Sequence, residues 1–279
     1  MCSSDLTVLA GVMCVALVAA TGFIPSRSGI AWGQAITAPA PIKVGIRRIT
    51  ETQYRHAIAD VFGSDIKINA RFEPEKREDG LLALGSAQLS LTSSGFEQYF
   101  ALAGAIADQA LDDKHRADTV GCTPADPKKP DNACASKFIT KVGEQLFRRP
   151  LDKAELGARL KTAADGTVRT SSFDAGLKLA LVSMLMAPEY LFRVETAEPD
   201  PAKAGAYRLD GYSKASRLSF LMWDSGPDRE LLAIAKSGAI HNDAEHKKQL
   251  ARMTASPRFR DGARAFFADM LQLDGFDNL

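Results

Sequence analysis

The stretch Phe173-Asp174-Ala175-Gly176-Leu177-Lys178-Leu179-Ala180-Leu181-Val182-Ser183-Met184-Leu185-Met186-Ala187 carries two apolar ridges. Phe173, Leu177, Leu181 and Met184 form one, and Leu179, Val182 and Met186 the other. Residues three and four apart share a helix face, so the segment is predicted to be a helix that is apolar around much of its circumference, which suits the centre of a core. Pro188 interrupts it, and Tyr190, Leu191 and Phe192 carry the apolar run into a further turn. Outward from this segment the same spacing recurs, and very few stretches alternate at period two. The expected fold class is therefore all-α: an irregular multi-helix array with long polar loops and one disulfide.

Upstream, Phe138, Ile139, Val142, Leu146 and Phe147 mark a helix between Cys134 and Pro150, and Asp152 with Glu155 restarts the chain with a capping pattern. Thr50 and Gln53 open the first helix in the same way, and Gly63 ends it. A second helix is predicted from about Phe96 to Leu111, after a charged, Gly-containing loop from Ser64 to Ser94. Downstream, Pro199, Pro201 and Gly205 punctuate a linker. Helices then resume over Tyr212 to Trp223, capped near Asp210, and over Asp228 to Lys236. A last helix from about Pro257 carries the stripe Phe259, Ala263, Phe266, Phe267, Met270 and Leu271, which must bury a face against something. These breaks divide the chain into a leader over 1–35, a Pro/Ala linker over 36–45, and helical domains over 46–121 and 122–197. A linker over 198–206 and a third helical domain over 207–279, expected to continue past the last residue, complete it.

Of the 279 residues, 46% are apolar and 25% charged, with 35 Lys and Arg against 34 Asp and Glu, which describes a globular chain without a dedicated nucleic-acid surface. The run from Leu6 to Ile24 is uncharged, and the small residues Gly33 and Ala35 fit a signal peptide cleaved after Ala35. An uncleaved membrane anchor over residues 6–24 is the alternative. Met1-Cys2-Ser3-Ser4-Asp5-Leu6 holds an acid where an export signal holds a base, so residues 1–6 read as a sequencing-adaptor artefact. The expected location is periplasmic or extracellular. There Cys122 and Cys134, flanking a Pro/Lys/Asp loop, are expected to form a disulfide, because two thiols without a nearby His make an incomplete metal site.

No Cys-x-x-Cys-His, His-Glu-x-x-His, Gly-x-Ser-x-Gly, Walker A or Gly-x-Gly-x-x-Gly pattern occurs. The chain therefore has no c-type haem attachment site of its own and no signature of a common enzyme class. His56, His115, His241 and His246 are scattered and read as surface or capping residues. Glu73, Glu75, Glu78 and Asp79 are interleaved with Lys76 and Arg77, which describes a solvated loop more readily than a metal or acid/base site. The candidate catalytic carboxylates are Glu75, Asp79 and Asp228, with no metal or cofactor ligands assigned. Arg47-Arg48 and Arg148-Arg149 sit at helix edges, where anion binding or hydrogen bonding to C-terminal carbonyls is the expected use. The second role suits Arg148-Arg149.

Several stretches together resemble a known family: Arg47-Arg48-Ile49-Thr50-Glu51 with Asp60-Val61-Phe62-Gly63; Phe147-Arg148-Arg149-Pro150-Leu151; Pro188-Glu189-Tyr190-Leu191-Phe192-Arg193-Val194-Glu195; and Tyr207-Arg208-Leu209 through Arg217-Leu218-Ser219-Phe220-Leu221 to Trp223 and Pro227-Asp228. The chain is similar to the exported domains of unknown function first noticed beside cytochrome c domains in Planctomycetes, in the order of three consecutive domains. Lys214 and Met270 depart from the Glu and Trp common there. The resemblance implies a fragment of a longer exported protein without an established catalytic activity. The expected function is a helical binding or scaffold module partnered with a c-type cytochrome or with further domains of the same chain. Any haem then belongs to a missing part or to the partner, with no nucleic-acid role and membrane contact only through an uncleaved anchor. The alternative is an exported hydrolase acting on a polymer such as polysaccharide through its loop carboxylates.

Overall fold

The computed structural model describes residues 42–273, so the leader over 1–35, the anchor stretch 6–24 and residues 36–41 of the expected linker lie outside the described residues. Strand β1 (Ile42–Arg48) leads into α1 (Glu51–Phe62), and a long loop holding the single turn α2 (Leu82–Gly85) follows. Next come α3 (Ser93–Ala110), α4 (Arg116–Val120), α5 (Asn132–Phe147), α6 (Lys153–Thr170), α7 (Phe173–Leu185) and the short α8 (Pro188–Leu191). Strands β2 (Phe192–Pro199) and β3 (Tyr207–Leu209) precede α9 (Gly211–Trp223), α10 (Arg229–Ser237), α11 (Asp243–Ala255) and α12 (Phe259–Leu271).

The all-α expectation needs correction, because a three-stranded antiparallel sheet in the order β1-β2-β3 accompanies the helices. Ile42, Val44 and Ile46 do alternate with Lys43, Gly45 and Arg47, yet these apolar residues stay exposed and fall largely in the stretch read as a linker. In β2 the alternation is masked by charge, since buried Glu195 follows Arg193 on the same face. Phe192, read as part of a further turn, begins β2 instead. The stretch 198–206 closes the β2–β3 hairpin, with the Asp200 N–H donating to the Ala206 carbonyl at 2.9 Å.

The long helices follow from their caps and stripes. Thr50 and Gln53 form a capping box on α1, and Gly63 ends that helix at φ 112°. Asp152 and Glu155 form a second box on α6. In α7, Leu177, Ala180, Leu181 and Met184 are fully buried, whereas Leu179 of the second ridge is half exposed beside α6. The α6–α7 crossing is close enough that a Cβ at Gly176 would lie 2.2 Å from the Ala163 carbonyl oxygen, so only glycine fits. One core runs from Ile49 to Leu191 and takes in Phe220, so the stretches 46–121 and 122–197 share it. A second core joins Leu218, Met222, Trp223, Leu231, Ile240 and Met253, where the Trp223 indole N–H donates to the Met253 carbonyl at 3.1 Å.

Cys122 and Cys134 are disulfide-bonded, stapling the polar loop before α5. Closing a loop of this length contributes about 2 to 3 kcal/mol in the chain-entropy account. Replacing both cysteines by Ser should lower the unfolding free energy by that amount, read from urea unfolding extrapolated to water, with a somewhat steeper slope because the unfolded chain is no longer cross-linked.

Candidate functional site: an arginine-lined cleft

A cleft of about 640 Å³ opens where β1 and the start of α1 face α9 and α12. The sheet register sets its positive wall. Arg47 of β1 stands directly opposite Arg193 of β2, and like charges so placed repel. Arg217 of α9 adds a third guanidinium, and Glu195 stands among them, held by Arg217 and lying 3.5 Å from Arg193. Burial alone would raise the Glu195 carboxyl, but the Arg217, Arg193 and Arg47 charges outweigh it and hold the group below the usual carboxylate range. Arg193 is 13% exposed, its Nε has no hydrogen-bond partner, and its guanidinium lies 4.6 Å over the Phe220 ring. Burial pushes that guanidinium down to about 10. Arg47 makes no ion pair with any described residue, and Asp224 also acts on Arg193, so the three guanidinium groups exceed the Glu195 and Asp224 carboxylates by one charge, while Arg264 and Asp261 of the opposite wall are both without an ion pair among the described residues.

A second group lines the same cleft. Asp224 ends α9 in the left-handed conformation, φ 52°, and is 3% exposed. Its carboxylate accepts from Gln53 Nε2 at 3.0 Å, and His56 Nδ1 lies 3.1 Å from its carbonyl and 3.5 Å from its Oδ2. A carbonyl only accepts, so Nδ1 carries the proton and Nε2 is the nitrogen left for the cleft. Hydrogen bonding to Asp224 raises the His56 imidazole above its ordinary value, against the opposing effect of burial. Glu75 accepts the Glu51 N–H at 2.8 Å, and burial raises its carboxyl.

The remaining wall is α12, which contributes Asp261, Arg264, Phe266 and Asp269. It lies tight against α9, since a Cβ at Gly262 would come within 2.2 Å of the Met222 carbonyl oxygen. Asp269 pairs with Arg77 at 2.8 Å and accepts the Leu82 N–H at 2.7 Å, fastening the 64–94 loop over this end of the cleft. Phe266, Phe267, Met270 and Leu271 remain about half exposed.

Of the three candidate carboxylates, only Glu75 lines the cleft. Asp79, at φ 49°, forms a tight Asp-Gly turn with Gly80 between paired Glu78 and Leu81. Asp228 caps α10 and holds Arg252 at 2.6 Å, where the arginine and the Leu231 N–H outweigh burial and keep its carboxyl low. The structure therefore does not assemble the three. His56, Asp224, Arg193 and Arg217 were absent from the candidates. Arg47-Arg48, noted for anion binding, was the available signal. Among the described residues no group of three or more His, Cys, Asp or Glu is placed to hold a metal ion, and no helix is long and apolar enough to cross a membrane.

Three family models match in succession, each described as a protein of unknown function: DUF1587 over residues 47–112, DUF1595 over 134–195 and DUF1592 over 209–279. No curated protein and no solved structure matches the chain. The first matched segment supplies Arg47, His56 and Glu75, the second Arg193 and Glu195, and the third Arg217, Asp224 and Arg264. The cleft is thus a joint product of three consecutive domains.

Proposed function

We propose that this chain of three consecutive domains is a binding module for an anionic ligand, one bearing carboxylate, phosphate or sulfate groups, held in the arginine-lined cleft. The observation that carries the reading is the opposed pair Arg47 and Arg193, joined by Arg217 around the Glu195 carboxylate. Such an arrangement costs folding free energy unless an anion shares it, and planar guanidinium groups bind oxyanions through paired hydrogen bonds. Phe220, Leu221 and Phe266 in the same lining suit a ligand with an apolar or sugar-ring body. The exported setting and the c-type cytochrome partner implied by the resemblance remain part of this proposal. The Cys122–Cys134 disulfide supports the oxidising compartment.

Calorimetric titration with sulfate, phosphate and oligogalacturonate should reveal binding that weakens as salt is added. Arg47 makes no hydrogen bond or ion pair with any described residue, so Arg47→Gln should spare the fold and weaken binding about tenfold, matching one charged hydrogen bond. Anion affinity unchanged in Arg47→Gln would move the ligand elsewhere.

A further inference from the structure

We propose that the cleft also performs β-elimination on a uronate-containing glycan, with Glu75 taking the proton α to the carboxylate and His56 Nε2 protonating the departing glycosidic oxygen. The inference rests on the anion-binding reading and adds a reaction to it. Three elements of the chemistry line one cleft: a guanidinium group to neutralise the substrate carboxylate, a carboxylate base and an imidazolium acid. Neutralising the carboxylate makes the adjacent C–H bond more acidic. Glu75 has one oxygen engaged by the Glu51 N–H, while its other oxygen has no hydrogen-bond partner among the described residues. The proton passes to Glu75, the C–H electron pair becomes the new C=C bond, the β C–O bond breaks, and the released oxygen takes the His56 proton. Water and redox partners are not consumed, and exchange with solvent returns both groups to their starting states.

Asp224 is a positioning residue here, since its carbonyl and carboxylate fix Nδ1 and so present Nε2 as the proton donor. The charged groups around the pair are Arg48, Glu51 and Asp224 for Glu75, and Asp224 and Asp261 for His56. Burial raises the Glu75 carboxyl and hydrogen bonding to Asp224 raises the His56 imidazole; the working state requires Glu75 ionised and His56 protonated. The rate should rise with pH as Glu75 ionises and fall as His56 loses its proton.

The test uses the full chain with polygalacturonate, alginate and heparosan, following the ultraviolet absorbance of an unsaturated product alongside calorimetric binding. The expected result is an unsaturated product from one of these polymers. Glu75→Gln and His56→Gln should each lose at least about 100-fold in rate while keeping affinity within about threefold. Binding without unsaturated product overturns the elimination and leaves the anion-binding reading intact. New reducing ends without ultraviolet absorbance overturn it in favour of hydrolysis, and absence of binding to all three polymers overturns the elimination, leaving the anion-binding reading to the sulfate and phosphate titrations.

Discussion

Replacing Arg148 by Met is expected to cost the fold about 3 to 5 kcal/mol, the range for leaving buried polar partners uncompensated. Arg148 is buried and no carboxylate among the described residues pairs with it; burial, with Arg193 nearby, pushes its guanidinium down to about 10. It stays in place because its donors meet backbone acceptors. Nη1 donates to the Leu146 carbonyl at 3.0 Å and the Tyr190 carbonyl at 3.3 Å, and Nη2 to the Glu189 and Phe192 carbonyls. Those of Leu146, Glu189 and Tyr190 are spare carbonyls at the ends of α5 and α8, which no helical N–H can reach, and that of Phe192 opens β2. Methionine fills much of the volume but leaves those acceptors dry. Lysine, with a compact ammonium group, cannot span both helix ends and should recover only part of the loss. Phe220 lies 5.7 Å from the Arg148 guanidinium and 4.6 Å from that of Arg193, so the same change should disturb the cleft wall. Urea unfolding of Arg148→Met at unchanged slope measures the first effect, and anion affinity the second. A loss below about 1 kcal/mol would mean that water reaches the carbonyls.

This arginine also marks how far local pattern carries. Arg148 before Pro150 is readable as a partner for helix-end carbonyls, because the helix pattern stops there and the charge follows it. Thr50 with Gln53, and Asp152 with Glu155, likewise state the start of α1 and α6 in neighbouring residues. The strands resist the same reading because their meaning is not local. Ile42, Val44 and Ile46 alternate but face outward, and the buried face of β2 carries Glu195 beside Arg193, an inversion of the usual apolar-in pattern. α11 has few apolar residues, burying mainly Gln249 and Met253, and so shows little stripe. The cleft is hidden for a related reason. His56 and Asp224 are separated by most of the chain, and only β1–β2 register puts Arg47 against Arg193. Glu75 was identifiable as a carboxylate of interest, whereas Asp79 and Asp228 looked equivalent until the turn and the cap that use them were in view.

Glu195→Gln should move stability and affinity in opposite directions. Glu195 is the counter-charge for buried Arg193 and for Arg217, and glutamine keeps its shape while removing that charge. The expected cost is about 3 kcal/mol, the low end for breaking a buried pair, because Arg217 reaches solvent and can be hydrated there. Anion affinity should rise, since an oxyanion would no longer compete with an internal carboxylate for Arg47, Arg193 and Arg217. The pH dependence carries the same sign. The folded carboxyl is held below its ordinary value, so its stabilisation is complete above the unfolded value and is lost as pH falls through the folded one. Wild-type protein should therefore lose stability on that acid limb and, over the same interval, bind a strong-acid anion such as sulfate more tightly. Glu195→Gln should show neither change from this group, while added sulfate should restore more stability to the variant than to the wild type. Equal rescue of both proteins by sulfate would separate the arginine cluster from anion binding and leave Glu195 as a purely structural partner of Arg193.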